Sequence, residues 1–365
     1  MNEQYDLYKL AFNYIPGIGA VTAKILISYC GGLEAVFKAN KKSLLAIPGI
    51  GEKKAYDILN NEALHKAEAE LKAISGRGVK LRFYLDDDYP ARLKNYDDCP
   101  ILLYCKGNIQ AEAKRMVAIV GTRKITPYGQ IQCANLVEGL KEYDCTIVSG
   151  LAYGVDTHAH KAAVDLAMPT IGVLGNGLNK IYPATNHKLA EKMLDKGGVI
   201  SEFQMDQKPD RENFPSRNRI IVGMSDVTIV VESARSGGSM ISAEYGNNYN
   251  KDVFAVPGRT SDPMSEGCNH LIKAHKAHLC TSADDIAYIM RWDKEAPSPQ
   301  MQLFVDLTPE EKVIVDLIRE VPNIGLDTLH YKTKLPLGQV TTTLLNLEFK
   351  GVIKPLPGKK YILAR

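Results

Sequence analysis

Six short apolar runs punctuate the middle of this chain: MVAIV (116–120), CTIVS (145–149), TIGVL (170–174), GVIS (198–201), VTIVV (227–231) and VFAV (253–256). They are rich in valine and isoleucine, do not alternate with polar residues, and are separated by helix-length segments. A strand that alternates has one wet face. One that does not is covered on both faces, which is the condition of a parallel sheet between two helical layers. Strand–helix–strand crossovers are right-handed, so repeating this unit predicts an α/β fold, an open parallel sheet of Rossmann type over about 80–290.

Ligands of such sheets sit beyond the carboxyl ends of the strands. The first run ends in Gly121, Thr122, Arg123 and Lys124, and the second in Gly150, Tyr153, Gly154 and Asp156. The third ends in GNGLNKIYPATN, with Gly175, Gly177, Lys180, Tyr182 and Asn186. After the fourth comes a longer loop ending in FPSRNR, with Arg217 and Arg219; ESARSGGS, with Gly238 and Ser239, follows the fifth, and PGRTSDPMSEG the sixth. VAIVG opens like a nucleotide-binding turn, yet G-x-G-x-x-G and the P-loop pattern are both missing. Glycines, amides, hydroxyls and a few cations on one rim are a phosphate-binding composition.

Arg123 and Lys180 are the strongest phosphate candidates, each in a glycine-bearing loop directly after a strand with no acidic neighbour close by. Tyr153, Tyr182 and Phe214 share these loops, and aromatics beside cations offer unpaired bases a stacking surface. For Phe214, packing under its loop is the preferred reading. Arg217 and Arg219 open a helix, against its dipole. That calls for an anion, either a phosphate or a carboxylate such as Glu202 or Glu232, and the two arginines can divide these roles. SGGSMISAEYG starts a helix whose N–H groups again suit an anion.

VDTHAH (155–160) has the Asp-x-His-x-His pattern of some metal enzymes, but here it begins a helix with Asp156 as the expected N-cap. His158 and His160, two apart, then point to different faces. CNHLIKAHKAHLC (268–280) matches no standard zinc spacing. No metal and no cofactor is expected, and no G-x-S-x-G is present. A partial likeness of SGGSMISAEYG to the PGG-x-GT-x-x-E turn of nucleotide phosphoribohydrolases keeps an enzyme alternative open, as does the His pair for a metal-dependent phosphodiesterase.

The flanks differ from the middle. Residues 1–75 read as helical and contain a repeat, IPGIGAVTAKIL from Ile15 and IPGIGEKKAYDIL from Ile47, in which glycines turn the chain into a helix N-terminus that suits a backbone phosphate, with Lys24, Lys53 and Lys54 nearby. The alternative is a small helical domain whose glycines only turn the chain. DKEAPSPQMQL (293–303) reads as a linker, and 306–365 as mostly helical with a closing hairpin. The 365 residues, 45% apolar and 24% charged, suit two or three globular domains. No apolar run reaches the roughly 18–20 residues of a membrane span, and the N-terminus lacks a signal pattern. Seven scattered cysteines without C-x-x-C fit reduced thiols, so a cytoplasmic protein is expected. A net charge of only +3 confines any nucleic-acid site to a local patch.

Taken together, VAIVGTRK, IVSGLAYGVDTHAHKAA, TIGVLGNGLNKIYPATN, FPSRNRIIVGMSD, SGGSMISAEYG and FAVPG with EGCNHLI resemble the DNA-processing protein A (DprA/Smf) family, in the family's order. The flanks resemble it too, with helix-hairpin-helix-like (SAM-like) repeats before the Rossmann-like domain and a winged-helix-like domain after it. The resemblance implies a non-enzymatic single-stranded DNA-binding protein that protects DNA and helps load RecA recombinase in natural transformation. It also implies a homodimer formed through the Rossmann-like domain, and makes Arg123 and Lys180 DNA contacts. Tyr153 stands where the family often has arginine, and Thr122 where it often has serine. In the C-terminal domain a weak basic excess is expected in the third helix.

Overall fold

A computed structural model describes residues 3–60, 62–294, 307–321, 324–356 and 359–363. From residue 295 on, the expected 293–303 linker lies outside the described residues. The chain divides into two compact units, Met1–Asp293 and Lys294–Arg365.

All six apolar runs form strands of one nine-stranded sheet. They are β3 (Arg115–Val120), β4 (Cys145–Ser149), β5 (Thr170–Val173), β6 (Gly198–Ser201), β7 (Val227–Val230) and β8 (Asp252–Ala255). The strand before them, β1 (Val79–Phe83), and its neighbour β2 (Leu102–Gly107) form an antiparallel pair, and β2 adds antiparallel to β6, with Tyr104 opposite Ser201. The two-residue β9 (His278–Leu279) joins β8 in parallel. The sheet is therefore mixed at one edge, where the sequence pattern predicts a parallel sheet throughout. Its order is β1-β2-β6-β5-β4-β3-β7-β8-β9. The chain leaves β3 toward β4 on one side and later returns to pair β7 on the other, so the switch point lies at the carboxyl ends of β3 and β7.

The period-two geometry of a strand splits β3 between two cores. Met116, Ala118 and Val120 enter one apolar cluster, with Ile220 and Ile221. Val117 and Ile119 enter the opposite one, with Val137 and Ala159. Every residue of β3 is buried, which explains why the run lacks alternation.

The N-terminal helices do not form a separate body. Leu10, Phe12 and Leu26 share a core with Phe83, Leu102, Tyr104 and Val199 at the mixed edge of the sheet. The nearly buried Lys9 pairs with Asp86 at 2.8 Å, and buried Glu70 accepts the Met205 N–H at 2.7 Å. Both repeats make their turn through a left-handed glycine, Gly17 (φ 68°) and Gly49 (φ 80°), and enter helices Ala20–Cys30 and Glu52–Leu59. Lys24 is committed to the fold, donating to the Tyr96 and Asp97 carbonyls at 3.3 and 2.9 Å.

The second unit packs helices Pro309–Glu320, Leu326–Thr333 and Leu337–Phe349 against a three-stranded sheet. Its strands are β10 (Ile324–Gly325), β11 (Ile353–Leu356) and β12 (Lys360–Leu363), with β11 and β12 forming the expected hairpin. The expected basic excess on the third helix is absent: Glu348 is its only charged residue, and Lys350 just beyond it pairs with Glu311 at 2.7 Å.

Candidate functional site

The loop after β3 is built by close backbone approach. A Cβ on Gly121 would lie 2.4 Å from Val155 Cγ2 and 2.9 Å from the Glu232 carbonyl. The Thr122 N–H donates to that carbonyl at 2.7 Å, and the Thr122 carbonyl accepts from the Val155 N–H at 3.1 Å. Loops from both sides of the switch point therefore clamp the turn that presents Arg123 and Lys124. Below it, the buried Glu232 carboxylate accepts the Thr126 N–H at 2.9 Å and the Thr126 hydroxyl at 2.5 Å. Thr126 caps the helix Pro127–Lys141, so this carboxylate faces a helix N-terminus and is satisfied there.

A cleft of ≈690 Å³ opens at this switch point. Arg123, Lys124, Arg211 and Arg217 line it, against one carboxylate, Asp156. Arg123 and Lys124 are exposed and, among the described residues, have no carboxylate partner. The Arg123 guanidinium lies 5.1 Å from the centre of the Phe214 ring, and Tyr182 sits 5.7 Å from the same ring. Phe214 also fills the space a side chain at Gly175 would need, 2.8 Å from that Cβ position. It thus packs under its loop and at the same time seats Arg123.

Arg217 is 3% exposed, and a guanidinium N–H donates to the Val173 carbonyl at 2.5 Å. Burial brings it down to about 10, which Asp156 opposes. Burial raises Asp156, and Arg217 is the main influence opposing that shift. Gly150 makes room for the guanidinium, since a Cβ there would stand 1.9 Å from Arg217 Nη1. Arg219 resolves differently: both its terminal nitrogens meet the Glu202 carboxylate, at 2.7 and 2.6 Å, and Nε donates to the Asp98 carbonyl. The anion it requires is a carboxylate of this chain.

The remaining candidates divide between surface and interior. Lys180 is exposed on a loop closed by the Asn176 side chain, which donates to the Lys180 carbonyl at 2.6 Å. Tyr153 and Tyr182 are 49% and 41% exposed. Asn186 is turned inward, its amide donating to the Leu151 carbonyl and the Thr157 hydroxyl at 2.9 and 2.8 Å. Gly177 gives its N–H to the Gln207 carbonyl, and a Cβ there would strike the Gln204 carbonyl at 2.0 Å. Gly238 and Ser239 begin the helix Gly238–Asn248 on the cleft wall. Arg211 and Asn218 also line the cleft, and the sequence reading passed over both. Arg211 stands in the mixed-charge stretch QKPDREN, where alternating signs conceal a cation that faces the site.

The VDTHAH segment begins the helix Val155–Asp165, but Gly154 is the N-cap, and Asp156 sits inside the first turn beside Arg217. His160 is fully buried against the Thr170 hydroxyl at 2.7 Å, while His158 meets the Gly154 carbonyl at 2.9 Å. Burial and then Arg217 lower His160 to about 3. His278 pairs with Asp252 and Cys268 Sγ faces the Val230 carbonyl, and no group of three or more potential metal ligands occurs among the described residues.

These features define a Rossmann-like protein whose switch-point cleft is walled by glycine turns and lined by four cations and one carboxylate. Residues 80–291 match the family model for DNA recombination-mediator protein A, 13–66 that of the SAM-like helix-hairpin-helix tandem, and 295–359 that of the DprA winged helix domain. Protein Smf of Synechocystis sp. is 30% identical over 396 residues, covering 99% of this chain and 99% of that protein. The crystal structure of DNA processing protein A from Streptococcus pneumoniae superposes with a TM-score of 0.68 at 32% identity, over 80% of this chain and 99% of that one. A structure describing the single-stranded DNA binding mode of DNA processing protein A from Helicobacter pylori matches with a TM-score of 0.54 at 30% identity, over 59% of this chain and 97% of that one. The chain belongs to the DNA processing protein A (DprA/Smf) family. No helix among the described residues is long and apolar enough to cross a membrane.

Proposed function

We propose that this chain binds single-stranded DNA across the switch-point cleft and works as a binding protein, not an enzyme, that protects the strand and helps load RecA recombinase during transformation and recombination. The observation that carries this reading is Arg123, without a carboxylate partner among the described residues, held by clamped backbone and seated on Phe214 beside Tyr182. A cation and two aromatic faces together suit a strand with unpaired bases. Lys124, Lys180 and Arg211 extend the cationic surface, while Arg217 and Arg219 hold the loops in place. The binding mode described for the Helicobacter pylori relative supports the same ligand. Homodimerisation and a cytoplasmic site of action belong to this reading as well. The latter is supported by seven free cysteines, six of them buried.

An anisotropy titration of the full chain with single- and double-stranded oligonucleotides tests the reading. Tight, salt-sensitive binding of the single strand is expected. Preference for the duplex, or turnover of nucleoside monophosphates or DNA on adding divalent metal, would overturn it.

A further inference from the structure

Among the described residues, two buried polar atoms on residues that line the cleft have no hydrogen-bond partner. One is Oγ of Ser242, a fully buried residue, and the other is Nε of Arg217. Both residues line the cleft, as do Gly238 and Ser239. The helix Gly238–Asn248 is 11 residues long and its N-cap, Gly237, supplies no side-chain acceptor. The Gly238 and Ser239 N–H groups therefore have no partner within the helix. A Cβ on Gly238 would meet nothing within 4 Å, so this end of the helix opens onto free space.

Two backbone N–H groups, a buried hydroxyl and a buried guanidinium nitrogen thus belong to residues that line the same cleft. A buried donor without an acceptor is costly, and an anion that enters relieves that cost. A phosphodiester within a strand has two non-bridging oxygens and must leave by both ends. A terminal monoester has three free oxygens, close to two charges at neutral pH, and only one attached carbon. It suits a dead-end subsite with several donors. We propose that these donors receive the terminal phosphate monoester of a single strand, so that the protein distinguishes phosphorylated strand ends from hydroxyl ends. The inference rests on the reading of the cleft as a single-strand site.

The test uses the full chain and one oligonucleotide sequence in 5′-phosphorylated, 3′-phosphorylated and hydroxyl-ended forms, with dTMP titrated separately by calorimetry. One phosphorylated form should bind roughly tenfold tighter than the hydroxyl-ended strand, as expected when an extra charge-assisted contact forms. Ser242→Val should bring that ratio toward one and weaken dTMP binding. It removes an unpartnered hydroxyl, and its melting temperature reports on folding. Gly238→Asp, at an open surface position, is the second variant and should also lower the ratio by placing a carboxylate at the mouth. Equal affinity for all three strands, with no dTMP binding, would overturn the subsite and leave single-strand binding intact. An end preference that survives both substitutions would overturn it too. Should no strand bind, the reading of the cleft itself fails and this inference with it, an outcome distinct from equal binding of all three strands.

Discussion

The Arg123 guanidinium rests 5.1 Å from the centre of the Phe214 ring, although 91 positions separate the two residues in the chain. One leaves β3 and the other opens the helix Asn213–Met224. This pairing places on the cleft wall a cation that has no carboxylate partner among the described residues.

Arg123→Ala and Lys180→Ala should each weaken single-strand binding about ten- to hundredfold, the size of a lost hydrogen bond to a charged group. The loss should be alike for all sequences, and the dependence of log affinity on log salt should flatten by about 0.7 per phosphate contact removed. Anisotropy titrations across a salt series check this, and unchanged binding in both variants would move the site elsewhere.

Gly154→Ala should cost at least about 2 kcal/mol of stability. Gly154 has φ 76°, and its Cβ would stand 2.1 Å from the Thr122 carbonyl oxygen, a backbone atom with little room to yield. Because that carbonyl belongs to the turn carrying Arg123, DNA affinity should fall as well. Urea melts and titrations on the same sample separate the two losses.

Glu202→Ala should destabilise the fold by about 3 kcal/mol, because it leaves the Arg219 guanidinium without its bidentate carboxylate. Affinity per folded molecule should change much less than in Arg123→Ala. A large affinity loss with normal stability would instead assign Arg219 to the DNA.

His160 supplies a pH dependence. In the folded chain it stays neutral down to about 3, whereas an unperturbed histidine titrates near 6.5. Between these values the unfolded chain binds the extra proton, so the contribution is complete above 6.5 and is lost as pH falls toward 3. At pH 5 the loss should be about 2 kcal/mol. His160→Leu should flatten the stability profile between pH 7 and 5, which denaturant midpoints at the two pH values will show.

The six parallel strands were legible because burial on both faces leaves an uninterrupted apolar run, as in MVAIV and VTIVV. β1 and β2 were not. VKLRF carries two cations, and the antiparallel pairing of β2 with β6 joins segments almost a hundred residues apart. The place of Arg123 on the cleft was legible because it stands two residues beyond Gly121, at the end of a buried strand. The fates of Arg217 and Arg219 were not, because Asp156 and Glu202 reach them only through the fold. Lys24 shows the same limit: the two IPGIG repeats look alike, yet packing against the sheet edge ties its ammonium group to the carbonyls of residues 96 and 97.

The clamp on Thr122 also determines which partner loses freedom when a strand binds. With its N–H tied to Glu232 and its carbonyl to Val155, the turn beneath Arg123 is already ordered before any ligand arrives. In the proposed complex the entropy of association falls mainly on the flexible strand and on the ends of the Arg123 and Lys180 side chains, with little left for the protein backbone to lose. Capture can proceed at the pace of encounter, without waiting for a loop to fold.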